Sequence, residues 1–266
     1  MGAIYTTKDT VMRLFLLILA AGLDAAFSAP AGAFAYNDGV EKARAVAARP
    51  YSAPTPIPQF MRSLTFTQYQ GIRFKPEMSL WRGVSPFTVM LVSPGYYYTH
   101  AVRLSTVDAS GVHPVVYHRE SFSYSPDDDD IVKRIPPDLG YAGFKLTYPL
   151  QGPHIQNQFL VFAGASYFRG VGKDNAFGIS ARGLAVDTGL PAGEQFPSFT
   201  EYWLVQPAAG ARSMTVYALL DGENVTGAYE FLIRPGAVTT VDVTATLFER
   251  GKIELLGVAQ AFGARV

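Results

Sequence analysis

Residues 240–248 read TVDVTATLF, and their pattern decides the fold class. Val241, Val243, Ala245 and Leu247 fall on one side of an extended chain, and Asp242, Thr244 and Thr246 on the other. A period of two marks a half-buried β-strand. Working outward, strand-like runs recur from about Thr65: FTVMLV (87–92), PVVYH (114–118), FKLTY (144–148), QFLVFAGASYF (158–168), FTEYWLV (199–205), SMTVYALL (213–220) and GAYEFLI (227–233). Gly, Pro, Asp and Asn clusters separate them, as hairpins and loops require. No long helical stripe interrupts the series, which argues against a βαβ arrangement, and a large antiparallel β-sandwich is expected.

The composition agrees with such a core. Of 266 residues, 48% are hydrophobic and 17% charged, and 22 basic residues balance 22 acidic ones. A neutral balance argues against a nucleic-acid partner, which calls for a basic excess. The chain has no cysteine, which removes disulfide frameworks, thiolate zinc sites and cysteine nucleophiles.

The start of the chain reads as a targeting segment. Arg13 precedes a ten-residue apolar run, Leu14 to Leu23, too short for the roughly 20 residues that span a bilayer but right for a signal-peptide core. The small-residue stretch AGAFA follows, and cleavage after Ala35 fits an Ala-x-Ala site, so residues 1–35 are expected to be a signal peptide; Met12 is an alternative start. Residues 36–63 then read as a short helix and a proline-rich connector. Asn37 or Asp38 is the expected cap, Val40, Ala43, Val46 and Ala47 form the apolar stripe, and Pro50 ends it. Residues 64–266 are assigned to the sandwich.

Several motifs invite chemistry and fail on inspection. SYFRGVGKDNAF (166–177) suggests a phosphate loop at Gly172-Lys173, but Asp174 stands where a hydroxyl residue is needed and Tyr167 where the first glycine is needed. Gly170, Gly172, Asp174 and Asn175 read better as a hairpin turn. GISARG (178–183) is one residue too long for a nucleophile elbow. His100, His113, His118 and His154 lack metal-ligand spacing, and no cofactor or metal is expected. The acidic run Asp127 to Asp130 lacks a calcium-loop pattern and is read as a solvated loop.

Carbohydrate binding remains open. Sugar sites set aromatic rings against pyranose faces and charged or amide groups against hydroxyls. Such mixtures occur at Tyr167 and Arg169, at Arg182 and Asp187, and at Glu194, Glu201, Tyr202 and Trp203. The plainer reading of the same residues is core aromatics with paired or solvated charges. Hydrolysis would need two carboxyl groups flanking a glycosidic bond, which spacing alone does not place.

Longer segments resolve part of this. FAGASYFRGVGKDNAFGISARGLAVDTGLPAGEQFPSFTEYWLVQP (162–207) and YALLDGENVTGAYEFLIRPGAVTTVDVTATLF (217–248) resemble the periplasmic glucan biosynthesis protein G/D family, as do QYQGIRFKPEMSLW (68–81), SPGYYYTHAVRL (93–104) and DLGYAGFKLTYPL (138–150). The resemblance runs from about Ala35 to about Val258. It implies an exported protein acting on β-1,2-linked glucans, with a sandwich similar to galactose mutarotase and, in whole members, a second immunoglobulin-like domain. Some members of the family are inverting hydrolases. The family continues as P-L-T-S-M-F where this chain reads QAFGARV (260–266), so the chain is expected to be a truncated form of the sandwich. The family's catalytic acids are expected beyond its end, and none is assigned here. Two functions follow: a fragment of a glucan-processing enzyme that still binds glucan, or a non-catalytic glucan-binding scaffold working with a membrane glucan synthase. Tyr167, Arg169, Arg182, Asp187, Glu194, Glu201 and Trp203 are the residues expected to line or brace the glucan groove.

Overall fold

The computed structural model describes residues 34–126, 129–178 and 180–258. The apolar run Leu14–Leu23, Asp127 and the chain end after Val258 lie outside them. Two sheets face each other. The larger has the order β14 (Thr240–Glu249), β13 (Val225–Arg234), β12 (Met214–Asp221), β11 (Ser198–Val205), β3 (Arg103–Asp108) and β4 (Gly111–Pro114). The smaller has the order β2 (Thr88–Val92), β6 (Gly143–Tyr148), β7 (Asn157–Ala163), β8 (Tyr167–Gly170) and β9 (Ala181–Arg182). Two short antiparallel ladders flank them, β1 (Arg73–Phe74) with β5 (Phe122–Ser123) and β10 (Leu184–Val186) with β15 (Leu256–Val258). The expected all-β sandwich is present, with one pairing that the sequence pattern did not announce. β3 and β11 run parallel, joining a hairpin from early in the chain to the β11–β14 meander.

The core between the sheets is aromatic. The Phe162 ring centroid lies 5.1 Å from Phe144, 5.4 Å from Phe168, 5.0 Å from Phe231 and 5.8 Å from Tyr202. Most of these pairs adopt the edge-to-face or offset geometry that the ring quadrupole favours. Phe144, Phe162 and Phe231 are fully buried, and Leu146, Leu160, Leu204, Val216 and Ile233 fill the spaces between them.

The outer face of the larger sheet is covered by α1 (Tyr36–Ala47). Ala43, Val107, Trp203, Leu219 and Ala228 form a second cluster there, with Phe34, Val40 and Phe248 packed around them. The expected helix is present, but its cap lies two to three residues before the expected ones, Asn37 or Asp38. Ala35 occupies the cap position, and Asp38, in the first turn, accepts a 2.7 Å hydrogen bond from the Ala35 amide. Across the sheet, Thr226 donates to the Ala43 carbonyl at 2.9 Å, and Arg250 donates to the Val46 carbonyl at 2.9 Å, closing the carboxyl end. β13 is therefore buried on both faces.

Other expectations shift locally. QFLVFAGASYF is two strands, broken at Gly164-Ala165, where φ is +78° and +44°. PVVYH is not a strand; the pairing is Gly111–Pro114 against β3, and one further bond, from the Val115 amide to the Leu104 carbonyl at 2.8 Å, ends it. TVDVTATLF forms β14, but at the sheet's edge, so Val243 stays 42% exposed. Short helices also appear, α2 (Gln59–Arg62) at the end of the connector and α3 (Phe66–Gln70) and α4 (Asp129–Arg134) inside the β region. Half of the acidic run thus opens a helix, where carboxylates suit the dipole, instead of lying in a loop.

Phe162→Ala is expected to cost about 3–5 kcal/mol, the range for emptying a packed aromatic site. Val243→Thr on the open edge should stay within about 0.5 kcal/mol. Chemical denaturation of the two variants measures both.

Candidate functional site

A run of three adjoining cavities follows the tyrosine hairpin at 95–98. Gly95 and Tyr98 exchange backbone hydrogen bonds of 2.9 Å, leaving Tyr96 and Tyr97 at the tip. Tyr96 holds φ +53°, a conformation that costs a non-glycine residue about 1–3 kcal/mol. Its amide donates to the Met61 carbonyl at 2.9 Å, which helps hold it there.

The first cavity, about 430 Å³, lies beside the hairpin and is walled by the proline-rich connector; it includes Thr55, His100, Arg103, Thr200 and Asp221. The second, also about 430 Å³, is lined by Phe66, Tyr69, Tyr96, Tyr97, Tyr98, Tyr167 and Arg169, among others. The first two share Tyr97, Tyr98, Gly164 and Ala165. The third, about 390 Å³, shares Phe66, Tyr69, Tyr98 and Ala163 with the second and extends over Lys145 and Val161. Together they make a groove that is mixed and polar at one end and aromatic at the other. Tyr97 is 79% exposed, a ring face open to solvent. Tyr69 donates to the Ser93 carbonyl at 2.9 Å, and burial pushes its hydroxyl pKa up, so it stays neutral. Burial, with the Arg62 charge nearby, pulls the His100 pKa down, which keeps that ring neutral too.

The seven residues singled out from the sequence fall into three places. Tyr167 and Arg169 line the second cavity. Arg182, Asp187 and Glu194 form a network beside it, entered through Arg182 on β9. Arg182 is the cross-strand partner of Tyr167, and its guanidinium lies 5.6 Å from that ring and 4.7 Å from Phe196. It pairs with Glu194 and donates to the Gln195 carbonyl at 2.9 Å. Gln195 in turn donates to Asp187 at 2.9 Å. Asp187 also accepts from the Leu255 and Glu254 amides, both at 2.9 Å, and so clasps the β10–β15 ladder. Gly183, between these elements, has no room for a side chain: a Cβ would stand 2.7 Å from the Phe199 ring. Glu201 and Trp203 line none of the three cavities. Glu201 pairs with Lys42 at 2.7 Å and with Arg103 at 2.8 Å, and so fixes a cation of the first cavity's wall. Trp203 stacks on Phe34 at 4.2 Å with Lys42 over its ring.

The stretch 166–177 is a turn, not an anion cradle. Asp174 has φ +63°, and Gly172 lies so close to Ala237 that a Cβ would stand 2.3 Å from its carbonyl oxygen. Among the described residues no group of three or more His, Asp or Glu side chains is placed to hold a metal ion.

Sequence reading missed the tyrosine hairpin, α3 and Lys145 as parts of the groove. The triple tyrosine after Pro94-Gly95 was the available signal for the hairpin. For α3 it was Thr65 and Gln68, which cap each other's backbone amides at 3.2 and 2.9 Å in an S/T-x-x-E/Q box.

The sequence model for "Periplasmic glucan biosynthesis protein, MdoG" matches residues 34–262. Glucans biosynthesis protein G of Ralstonia nicotianae is 44% identical over 247 residues, 91% of this chain and 48% of that protein. The protein of the same name from Pseudomonas aeruginosa is 41% identical over 259 residues, 96% of this chain and 49% of its own length. That from Bradyrhizobium diazoefficiens is 42% identical over 221 residues, 82% and 43% of the two. The chain spans about half the length of these relatives.

The Asp187 network makes an acid-stability prediction. Hydrogen bonds from the Leu255 amide first, then the Glu254 amide and Gln195, lower the Asp187 pKa. A carboxylate whose folded pKa lies below its unfolded value of about 3.9 stabilises the fold above that value. The stabilisation is lost as pH falls through the lowered folded pKa. Asp187→Ala should lower the melting temperature at pH 7 and flatten its fall between about pH 4 and pH 2. Asp187→Asn should be milder, because asparagine tolerates the φ of +56° and keeps an acceptor oxygen. Thermal melts of the three proteins across that pH range check this.

Proposed function

The chain belongs to the MdoG family of periplasmic glucan biosynthesis proteins, and we propose that it serves glucan assembly in the periplasm by holding a glucan chain in the groove beside the tyrosine hairpin. The observation that carries this reading is the convergence of Tyr69, Tyr96, Tyr97, Tyr98 and Tyr167 on one continuous groove, with Arg169 among them. Pyranose rings present apolar C–H faces that pack on aromatic rings, and their hydroxyls take hydrogen bonds from the flanking amide, hydroxyl and guanidinium groups. Tyr167 and Arg169 contact the glucan in this proposal. Arg182, braced by Glu194 and the Asp187–Gln195 pair, supports Tyr167 from the neighbouring strand, and Glu201 orients Arg103. Trp203 anchors α1.

Binding is better supported than cleavage. Among the described residues lining the three cavities, Asp221 is the only carboxylate, and Arg250 pairs with it at 3.0 Å. General acid–base hydrolysis of a glycoside calls for two carboxyl groups flanking the bond. The groove therefore fits a glucan-holding role, with a membrane glucan synthase as the partner that such a role implies.

Tyr97→Ala should weaken binding of a linear β-1,2-glucan oligosaccharide by about tenfold, the loss expected for one stacked ring. Its melting temperature should not change, because the ring is mostly solvent-exposed. Calorimetric titration with that oligosaccharide decides it. Unchanged affinity for the Tyr97 and Tyr98 alanine variants would refute the groove assignment.

Export implies removal of the leader, and the fold bears on where. Cleavage after Ala35 would take away Phe34, which stacks on Trp203 at 4.2 Å, and the Ala35 carbonyl, which accepts from the Asp38 amide at 3.0 Å. Ala31-Gly32-Ala33 satisfies the same small-x-small preference and spares both. The mature protein is expected to begin at Phe34, and intact-mass measurement of secreted material will distinguish Phe34 from Tyr36.

A further inference from the structure

Across the outer face of the smaller sheet, Met90, Lys145, Val161 and Arg169 stand in one row, each the cross-strand neighbour of the next on β2, β6, β7 and β8. Their sequence neighbours Phe144, Phe162 and Phe168 point into the core. The row forms part of the floor of the aromatic cavities: Lys145 and Val161 in the third, Arg169 in the second. One strand separates the two cations, so their Cα atoms lie roughly 9–10 Å apart. Long side chains from both sides can meet a single small group above Val161.

Neither cation has a described counter-charge, whereas the well-buried Arg182 and Arg250 both have carboxylate partners. Among the described residues, Lys145 and Arg169 form neither an ion pair nor a side-chain hydrogen bond. No described Asp or Glu lines the second or third cavity, while Arg73 adds a further positive charge to the third. Lys145 is partly buried, and that burial draws its pKa down. An unpaired, partly desolvated ammonium costs free energy that a methionine at the same place would not. The hydroxyls of a neutral sugar give no reason to keep two such charges together.

We propose that this row is a subsite for an anionic group, a phosphate ester or a carboxylate, carried on a sugar whose ring packs against the adjacent tyrosines. The proposal rests on the glucan-binding reading above. Lys145 and Arg169 hold the anion from opposite sides, Arg169 through paired N–H donors and Lys145 as a point charge. Tyr69 and Tyr98, shared by the two cavities, position the ring that bears it.

The test titrates the full chain with three probes: a neutral β-1,2-glucan oligosaccharide, the same oligosaccharide carrying a phosphate ester, and inorganic phosphate. At low ionic strength the phosphorylated sugar should bind at least about tenfold tighter than the neutral one, and added salt should erode the advantage. In Lys145→Met the ratio of the two affinities should fall toward one, and in Arg169→Gln it should fall as well. Lys145→Met should melt no lower than the parent protein, which shows that the lost ratio does not come from misfolding. Equal binding of the two sugars by the parent protein would overturn the subsite and leave the glucan groove standing. Failure of both sugars to bind would overturn the groove reading itself. Inorganic phosphate binding as tightly as the phosphorylated sugar would show a free-anion site and overturn the sugar-borne assignment.

Discussion

The packing of Phe162 against Phe144, Phe168 and Phe231 fixes more than the core. Successive residues of a strand face opposite ways, so each core phenylalanine dictates where its neighbours stand on the outer face. Phe144 points in and Lys145 points out; Phe162 points in between Val161 and Ala163; Phe168 points in between Tyr167 and Arg169. The cross-strand register that lets these rings meet is the same register that aligns the groove floor. A one-residue slip of β8 would bury Arg169 and expose Phe168, so the hydrophobic cost of the slip protects the binding surface. Core and groove are two faces of one alignment.

The larger sheet shows the complementary case. Its inner face feeds the aromatic core, and its outer face is closed by α1 through Ala43, Trp203, Leu219 and Ala228. This explains why GAYEFLI reads as nearly continuous apolar sequence while TVDVTATLF alternates. β13 lies between two layers, and β14 lies at the edge, partly beyond the helix. The helix is fastened by polar contacts to backbone carbonyls from Thr226 and Arg250, and Arg250 also pairs with Asp221 in the wall of the first cavity. The amino-terminal helix and the groove are thus tied to one arginine.

These facts mark what a single sequence exposes. Apart from PVVYH, the runs of alternating or continuous apolar residues between turn residues were strands, because burial on one or two faces imposes those patterns directly. The parallel β3–β11 pair was not readable, since Arg103 and Glu201 meet although they stand 98 positions apart, and nothing local records it. α3 was hidden by its length, five residues being too few for a helical stripe, although Thr65 and Gln68 carried its cap. For the groove, Tyr167 and Arg169 stood out because an aromatic and a cation alternate on one strand. Tyr69, Tyr96 and Tyr98 come from three-dimensional convergence of a short helix and a hairpin, which residue types alone do not encode. Glu194 and Asp187 were noticed as acids, yet their chemistry is set by partners as distant as Leu255.

Backbone strain supplies an argument independent of residue type. Five described residues other than glycine have positive φ, and three of them, Tyr96, Ala165 and Asp187, lie in the groove or in the network bracing it. Tyrosine and alanine gain nothing at such angles that glycine would not give more cheaply, so the side chain itself must be worth the strain. At Tyr96 the surrounding structure enforces the angle: the Gly95–Tyr98 pair closes the hairpin and the Met61 carbonyl holds the amide. The ring so displayed lies 6.2 Å from Tyr69 and 4.0 Å from Tyr97. A fold that spends this strain to cluster aromatic rings beside open space, when burying them would stabilise it more, is organised around something that occupies that space.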